Sequence, residues 1–305
     1  MIKDIIKKLA YKIGSSINTL NFGKEETELL ALGKLLCNQQ QSIISNNITD
    51  YEFKIFSQFG EDGIIQFLIN NIKIENETFI EFGVENYLES NTRFLLMNNN
   101  WSGFVMDGST KHMNFLSNQK WYWKYDIKNK AVFIDKENIN ELLKSSGFKN
   151  LGILSIDIDG NDYHIFENID LSELNPSIII FEYNSVFGKE RAISVPYNPV
   201  FDRTKAHYSN MFWGASLPAF DHIANKRGYS LVGCNTTGMN AFYVRNDLLN
   251  QKIIKKSLNE CFIESKFKQG LNKDGSLSYL DNESSRKLLK GLKVINVKDG
   301  KLEDF

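Results

Sequence analysis

Between residues 51 and 248, short apolar runs alternate with stretches of helical spacing. Thr78–Phe82 is an apolar strand that ends at Gly83, and Gly103–Met106 is a second that ends at Asp107-Gly108. Trp121–Tyr125 reads as a third strand ending at Asp126, with Gly152–Ile158 and Ser177–Tyr183 as the fourth and fifth. Phe59–Asn71, Asn91–Asn99 and Asn138–Ser145 carry the 3.6-residue period of helices, and Ser90 or Asn91 can cap the middle one. Such alternation is the mark of an open parallel sheet. Ile178, Ile179, Ile180 and Phe181 are apolar at consecutive positions, as expected of a strand covered by helices on both faces.

The end of this region breaks the alternation. Ala215–Arg227 reads as a helix stopped by Gly228, but Tyr229–Cys234 and Asn240–Arg245 are joined only by the turn Asn235–Gly238. A connection that short makes an antiparallel pair. The expected fold class is therefore α/β, with a Rossmann-like sheet whose layout resembles that of class I methyltransferases. That sheet is mostly parallel and closed by an antiparallel hairpin strand, where a plain dinucleotide-binding fold would have a helix. Residues 185–213 interrupt the scheme with Pro196, Pro199, many aromatics and little periodicity. A long connection on the carboxyl edge of a sheet predicts a lid or substrate loop.

Residues 1–50 read as an N-terminal helical extension and residues 249–305 as a charged, mostly helical C-terminal one, flanking a core at 51–248. Ile2, Ile5, Ile6, Leu9 and Ile13 repeat at helical spacing among lysines. That helix can pack on its own domain, join a second copy in a homo-oligomer, or lie on a membrane. Glu25–Cys37 carries a leucine stripe, and Asn38–Asp50 is polar.

With 36 basic and 37 acidic residues, nothing global steers the chain to nucleic acid or an anionic membrane. Three scattered cysteines (Cys37, Cys234, Cys261) suggest neither zinc nor a disulfide framework. No apolar run approaches the ~20 residues of a transmembrane span, and the N-terminus lacks the features of a signal peptide. A cytoplasmic location is expected.

Three segments carry a family resemblance: Ser57-Gln58-Phe59-Gly60-Glu61-Asp62-Gly63-Ile64, Ser155-Ile156-Asp157-Ile158-Asp159-Gly160-Asn161-Asp162, and Leu231-Val232-Gly233-Cys234-Asn235. In order and spacing they resemble the FkbM-like class I methyltransferases over residues 51–248. The resemblance implies S-adenosylmethionine as methyl donor and, since many of the group sit among bacterial surface-glycan genes, a glycan-related acceptor. It also implies that Asp107 takes the ribose hydroxyls and that Gln58 and Glu61 close over the cofactor, although these last two also suit a helix cap.

In a doubly wound sheet the donor falls at the carboxyl ends of the first strands. Glu81 can engage its ammonium group, Gly83 lets the backbone approach, and the amides of Ser90, Asn91 and Thr92 can receive its carboxylate. Asp126 is a candidate for the adenine amino group. Only one glycine survives in Gly83-Val84-Glu85-Asn86-Tyr87, which argues against a pyrophosphate ligand. Acids at strand ends also serve as turn residues and caps.

Asp157 and Asp159 end the fourth strand, Glu182 and Asn184 the fifth. Asp157 is the foremost catalytic candidate. A set of Asp157, Glu182 and Asn184 can also hold Mg²⁺ or Mn²⁺, which take carboxylate and amide oxygens. His164 and His207 are candidate bases, and Arg203, Lys205 and His207 suit a phosphorylated or nucleotide-linked acceptor. Tyr208, Phe212 and Trp213 are candidate sugar platforms. The expected activity is O-methylation of a sugar or sugar-linked small molecule, with in-line transfer. A non-catalytic methyltransferase-like binding module within a glycan assembly complex is the alternative.

Overall fold

Strands that are apolar on both faces need a helical layer on each side, and the chain builds both layers around one twisted sheet. The computed structural model describes residues 25–305, so the helix expected at Met1–Ile13 lies outside the described residues. The strands of the main sheet are β1 (Thr78–Phe82), β2 (Ser102–Asp107), β3 (Ile127–Ala131), β4 (Ile153–Ile156) and β5 (Ile178–Glu182). After the two-residue β6 (Ile193–Ser194) come β7 (Tyr229–Cys234) and β8 (Asn240–Arg245). Their order is β3-β2-β1-β4-β5-β8-β7. Strands β1 to β5 are mutually parallel, and β8 runs antiparallel to both β5 and β7. The expected closing hairpin is therefore present. The order reverses between β1 and β4, which opens a crevice at their carboxyl ends.

Alternate side chains feed opposite layers. Phe79, Ile178 and Ile180 face the layer of α1 (25–40), α2 (Glu61–Asn71), α3 (Arg93–Asn99) and α4 (Thr110–Ser117). Ile80, Phe82, Ile179 and Phe181 face α5 (Ile139–Ser145), α6 (Asp162–Asn168) and α8 (Leu217–Lys226). These strand residues are at most 0% exposed, and each such burial contributes about 1.5–3 kcal/mol. The leucine stripe of α1 is only partly used: Leu29, Leu30 and Leu36 pack on the sheet side, whereas Leu32 and Leu35 stay exposed.

One strand was misplaced by the sequence pattern. Trp121–Tyr125 is no strand; Tyr122–Lys124 form a single 3₁₀ turn, and buried Trp121 packs beside Tyr87. The true third strand is the polar edge strand β3, whose Lys128, Asn129 and Lys130 hide it from an apolar search.

Residues 185–213 include a short helix, α7 (Arg203–Ala206), and β6. They pack against the C-terminal part of the chain. There α9 (Leu258–Cys261) and α10 (Asn282–Leu289) precede a hairpin, β9 (Lys293–Asn296) and β10 (Lys301–Asp304). The three strands pair in the order β10-β9-β6. Val186, Phe187, Ile193, Val195, Met211 and Phe212 share a small core with Leu289 and Val294. The extension, expected to be mostly helical, instead holds two short helices of 4 and 8 residues, a strand pair and a long irregular stretch.

The first and third resemblance segments meet in space. Glu61 Oε1 accepts hydrogen bonds from the side-chain amides of Asn235 (2.6 Å) and Asn240 (2.8 Å), and its Oε2 accepts the Phe59 amide. Beside it, Asp62 Oδ2 accepts the backbone amides of Ile55, Phe56 and Ser57. Buried Glu61 therefore ties the start of α2 to the closing hairpin, instead of reaching over a cofactor. Glu61→Ala strips two buried amides of their acceptor and should cost about 2–4 kcal/mol. Urea unfolding at neutral pH should show this as a lower midpoint with unchanged slope.

Candidate functional site

The crevice at the carboxyl edge holds two connected clefts that share Gly83, Glu85, Asp157 and Asp159. Their shape begins at β1. Gly83 has φ +80°, and a Cβ there would lie 1.3 Å from the Asp157 carbonyl oxygen, so only glycine fits. The missing glycines of the following loop are replaced by side chains held in the left-handed region: Glu85 at φ 46° and Tyr87 at φ 64°. Buried Tyr87 is fixed by a 2.9 Å hydrogen bond between its hydroxyl and Thr92 Oγ1. Backbone strain of this kind persists where surroundings over-determine it.

Glu81 is occupied by its own loop. Its carboxylate accepts the amides of Asn91 (3.0 Å) and Thr92 (3.1 Å) and the hydroxyls of Ser90 (2.6 Å) and Thr92 (2.5 Å). The helix-start amides expected to receive a ligand carboxylate are thus already satisfied, and Thr92 is wholly buried. Asn91 and Glu81 still line the larger cleft, and Gln58 stands exposed at its wall.

Asp107 sits in the smaller cleft, of about 160 Å³. Its Oδ2 accepts the Glu85 amide (2.9 Å) and its Oδ1 the Ser109 amide (2.7 Å), with His112 Nδ1 3.6 Å from Oδ1; a carboxylate has acceptor capacity beyond these two bonds for a diol. Opposite lie Val132, Phe133, Ile134 and Phe201, an apolar slot. Phe133 is 54% exposed, an unusual state for phenylalanine beside a cleft. Phe201 packs so closely on Gly160 that a Cβ there would come within 2.1 Å of the ring. An acid beside such a slot can hold a nucleoside. The sequence pattern missed the slot because its residues follow a misplaced strand.

Between the two clefts, Asp157, Asp159 and Glu182 bring carboxylate oxygens within 4.8 Å of one another. Burial first, then Asp159 and Asp162, pushes Asp157 well above the ordinary carboxylate range. Burial and then Asp157 and Asp159 do the same to Glu182, against the pull of Arg203. Asp157 and Glu182 therefore each raise the other, because two buried carboxylates this close disfavour double ionisation. Glu182 Oε2 is buried with no hydrogen-bond partner. Arg203 answers Asp159 with a 2.6 Å ion pair and lies 4.5 Å over the Trp213 ring. Three converging carboxylates also suit a hard divalent cation; the set is Asp157, Asp159 and Glu182.

Several expected residues are elsewhere. Asn184 is excluded as a metal ligand: its amide nitrogen donates to the carbonyls of Met211 and Trp213, and its oxygen accepts the Val186 amide. Asp126 precedes β3, its carbonyl accepting from Gly103 at the start of β2, so it lies at the opposite edge of the sheet from the clefts. His164 is buried, bonded through Nε2 to the Val195 carbonyl (2.8 Å), and burial lowers its pKa. His207 pairs with Ser209 Oγ (2.7 Å). Neither histidine lines a cleft. Lys205 pairs with Asp202, and Phe212 and Trp213 are buried and form no open platform. The sequence reading also missed Asn240, Phe267 and Gln269, which line the larger cleft.

The raised pair makes a stability prediction. A carboxyl with a raised folded pKa costs nothing while protonated in both states, and destabilises the fold as pH climbs from the ordinary carboxylate range through the raised value. Glu182→Gln never ionises. Its Tm should exceed that of the parent by about 2–6 °C at pH 8, with the gap closing toward pH 4 in calorimetric scans.

Residues 83–231, about half of the chain, match the family model described as the Methyltransferase FkbM domain. Comparison with curated proteins finds no match. Among solved structures the fold is similar to TrmK of M. capricolum in complex with S-adenosylhomocysteine, at 13% identity and TM-score 0.38, over 69% of this chain and 77% of that one. It is similar also to an O-methyltransferase from Bacillus cereus in complex with the same product, at 13% identity and TM-score 0.39, over 72% and 89%. The N-terminal domain of EvdMO1 aligns at 10% identity and TM-score 0.40, over 72% and 94%. The family match begins at Gly83, directly after β1, and takes in β2 to β5; with this match to the Methyltransferase FkbM domain over residues 83–231, the chain is a methyltransferase of Rossmann-like α/β fold.

Proposed function

We propose that the chain methylates a hydroxyl of a sugar or sugar-linked small molecule. The observation that carries this reading is the convergence of the Asp157 and Glu182 carboxylates, with Asp159, where the two clefts meet. The smaller cleft suits the adenosine half of S-adenosylmethionine, with Asp107 on the ribose hydroxyls and the base between Phe133, Ile134 and Phe201. The larger cleft, about 460 Å³, suits the acceptor: its amides (Gln58, Asn91, Asn240, Gln269) match a polyol, and Phe59 and Phe267 offer an apolar face to ring C–H groups. The place of the FkbM-like group among surface-glycan genes supports a glycan acceptor.

The mechanism follows from the placement. An acceptor hydroxyl in the larger cleft reaches Asp157 while the sulfonium lies beside Gly83. The oxygen attacks the methyl carbon in line as the C–S bond breaks, the electron pair returns to sulfur, and the hydroxyl proton passes to the carboxylate pair. A raised pKa makes that pair a stronger base than an ordinary carboxylate. Most of the acceleration comes from holding the two reactants at contact distance in one orientation. Were Mg²⁺ or Mn²⁺ bound by Asp157, Asp159 and Glu182, it would acidify the acceptor hydroxyl.

Two variants test the assignment. Asp157→Asn should lower methyl transfer at least ~100-fold while S-adenosylhomocysteine binds within about threefold of the parent. Asp107→Ala should weaken that binding by about 10–100-fold, the loss of a charge-assisted contact. Both are read by calorimetric titration. Turnover retained in Asp157→Asn defeats the base assignment, and no binding at millimolar ligand leaves the chain as a binding module.

A further inference from the structure

Residues 262–281 run as a strap between α9 and α10, beyond the segment that matches the family model. The strap is pinned on both sides of its bow. The Tyr183 hydroxyl donates to the Ile263 carbonyl (2.9 Å), and the Ser265 amide donates to Ser185 Oγ (2.9 Å). Further on, the Leu271 amide donates to the Ser209 carbonyl (2.9 Å). The turn of the closing hairpin presses against it: a Cβ on Gly238 would fall 2.5 Å from the Ile263 carbonyl oxygen.

Between these pins the strap crosses the larger cleft and puts Phe267 and Gln269 into its wall. Phe267 stacks on Phe59 with ring centroids 4.6 Å apart, yet remains 43% exposed. Gln269 Oε1 accepts from Arg203 Nη2 at 2.8 Å, while Arg203 Nη1 binds Asp159 and its Nε donates to the Asn210 carbonyl. Arg203 is the one cationic residue among the described residues lining this cleft, and its fork is committed to protein partners. Also lining the cleft are Glu81, Glu85, Asp159, the mutually raised Asp157 and Glu182, and Glu89, which pairs with Lys54 (3.0 Å). Glu85 and Asp159 with the other acids outnumber the cations, and Arg203 and Lys54 are both engaged by protein partners, so a phosphate is disfavoured here.

We propose that the strap is the acceptor-recognising wall of the enzyme, and that this wall selects an uncharged polyol over a phosphorylated one. Phe267 packs on the C–H face of the acceptor ring, and Gln269 keeps Arg203 turned toward Asp159 and away from the acceptor. Phe267 and Gln269 are thus specificity-determining residues supplied from outside the family segment. The inference rests on the reading of the chain as a sugar O-methyltransferase, and it narrows the acceptor to a glycan hydroxyl without a neighbouring phosphate.

The test uses the full chain and labelled S-adenosylmethionine. Acceptors are methyl glycosides of common hexoses and 6-deoxyhexoses, beside the hexose 6-phosphates, each assayed with EDTA and with Mg²⁺. Label should pass to at least one neutral glycoside, with kcat/KM for the phosphate at least ~100-fold lower in both conditions. Phe267→Ala should raise the acceptor KM about 5–10-fold, with kcat within twofold and S-adenosylhomocysteine affinity unchanged; Phe267→Tyr should restore KM. Preference for the phosphates, an unmoved KM in Phe267→Ala, or no transfer to any neutral glycoside by protein that binds S-adenosylhomocysteine would overturn the proposal. Failure to bind S-adenosylhomocysteine strikes instead at the methyltransferase reading.

Discussion

The ends of β1 and β4 touch backbone to backbone, and the crevice is organised around that contact. No side chain fits between residue 83 and the Asp157 carbonyl oxygen. The Asp157 amide in turn donates to the Phe82 carbonyl, and the Gly83 amide to the Met106 carbonyl. Three strand ends are therefore locked within one hydrogen-bonded unit. Glu81, Asp107 and Asp157 project from it at separations that no loop motion can change. The parallel arrangement delivers all of them to one edge, which is why acids scattered over a hundred residues converge.

Convergence of acids has an electrostatic cost, and the structure meets it in two ways. Some carboxylates are satisfied by the chain itself. Glu81 takes two amides and two hydroxyls, Asp62 takes three amides, and Asp162 takes the amides of Ile158 and Gly160. These fix loops. Burial outweighs those bonds and pushes Asp62 and Asp162 up to about 6. Asp157 and Glu182 lack such amides: burial and their mutual proximity raise both, and Glu182 Oε2 has no hydrogen-bond partner. A carboxylate left short of donors at the meeting point of two clefts is available for chemistry, whereas one saturated by backbone amides is scaffolding. This criterion separates Asp157 from Glu81 although both end central strands.

Period and order were legible in the sequence wherever a pattern repeats. The apolar runs at Thr78–Phe82 and Ile178–Glu182, the hairpin at Tyr229–Arg245 and the acids at 157 and 182 were all placed correctly, since buried strands leave little choice of residue. The edge strand β3 was not legible, because solvent tolerates lysine and asparagine there, and the aromatic run before it drew the assignment upstream. That slip moved Asp126 to the wrong edge and hid Phe133 and Ile134. Thr92, Asn184 and the histidines failed for another reason. Their polar groups are consumed by neighbours that sequence spacing does not reveal: Glu81, the carbonyls of Met211 and Trp213, and the carbonyl of Val195.

Of the three motifs that carry the family resemblance, the second supplies Asp157 and Asp159 to the site, whereas the first and third serve closure of the fold. Glu61 joins Asn235 and Asn240 across 174 and 179 residues, and Glu52 adds the Thr236 amide and hydroxyl. These bonds hold the start of α2 and the hairpin turn together beside the larger cleft. The strap at 262–281 then rests on that same turn and on the end of β5. Donor-side groups come from the sheet, base groups from its central strand ends, and acceptor-side groups from a segment laid over a rigid latch. Changing the strap can therefore change what is methylated without disturbing the donor cleft, because the two share only the residues at their junction.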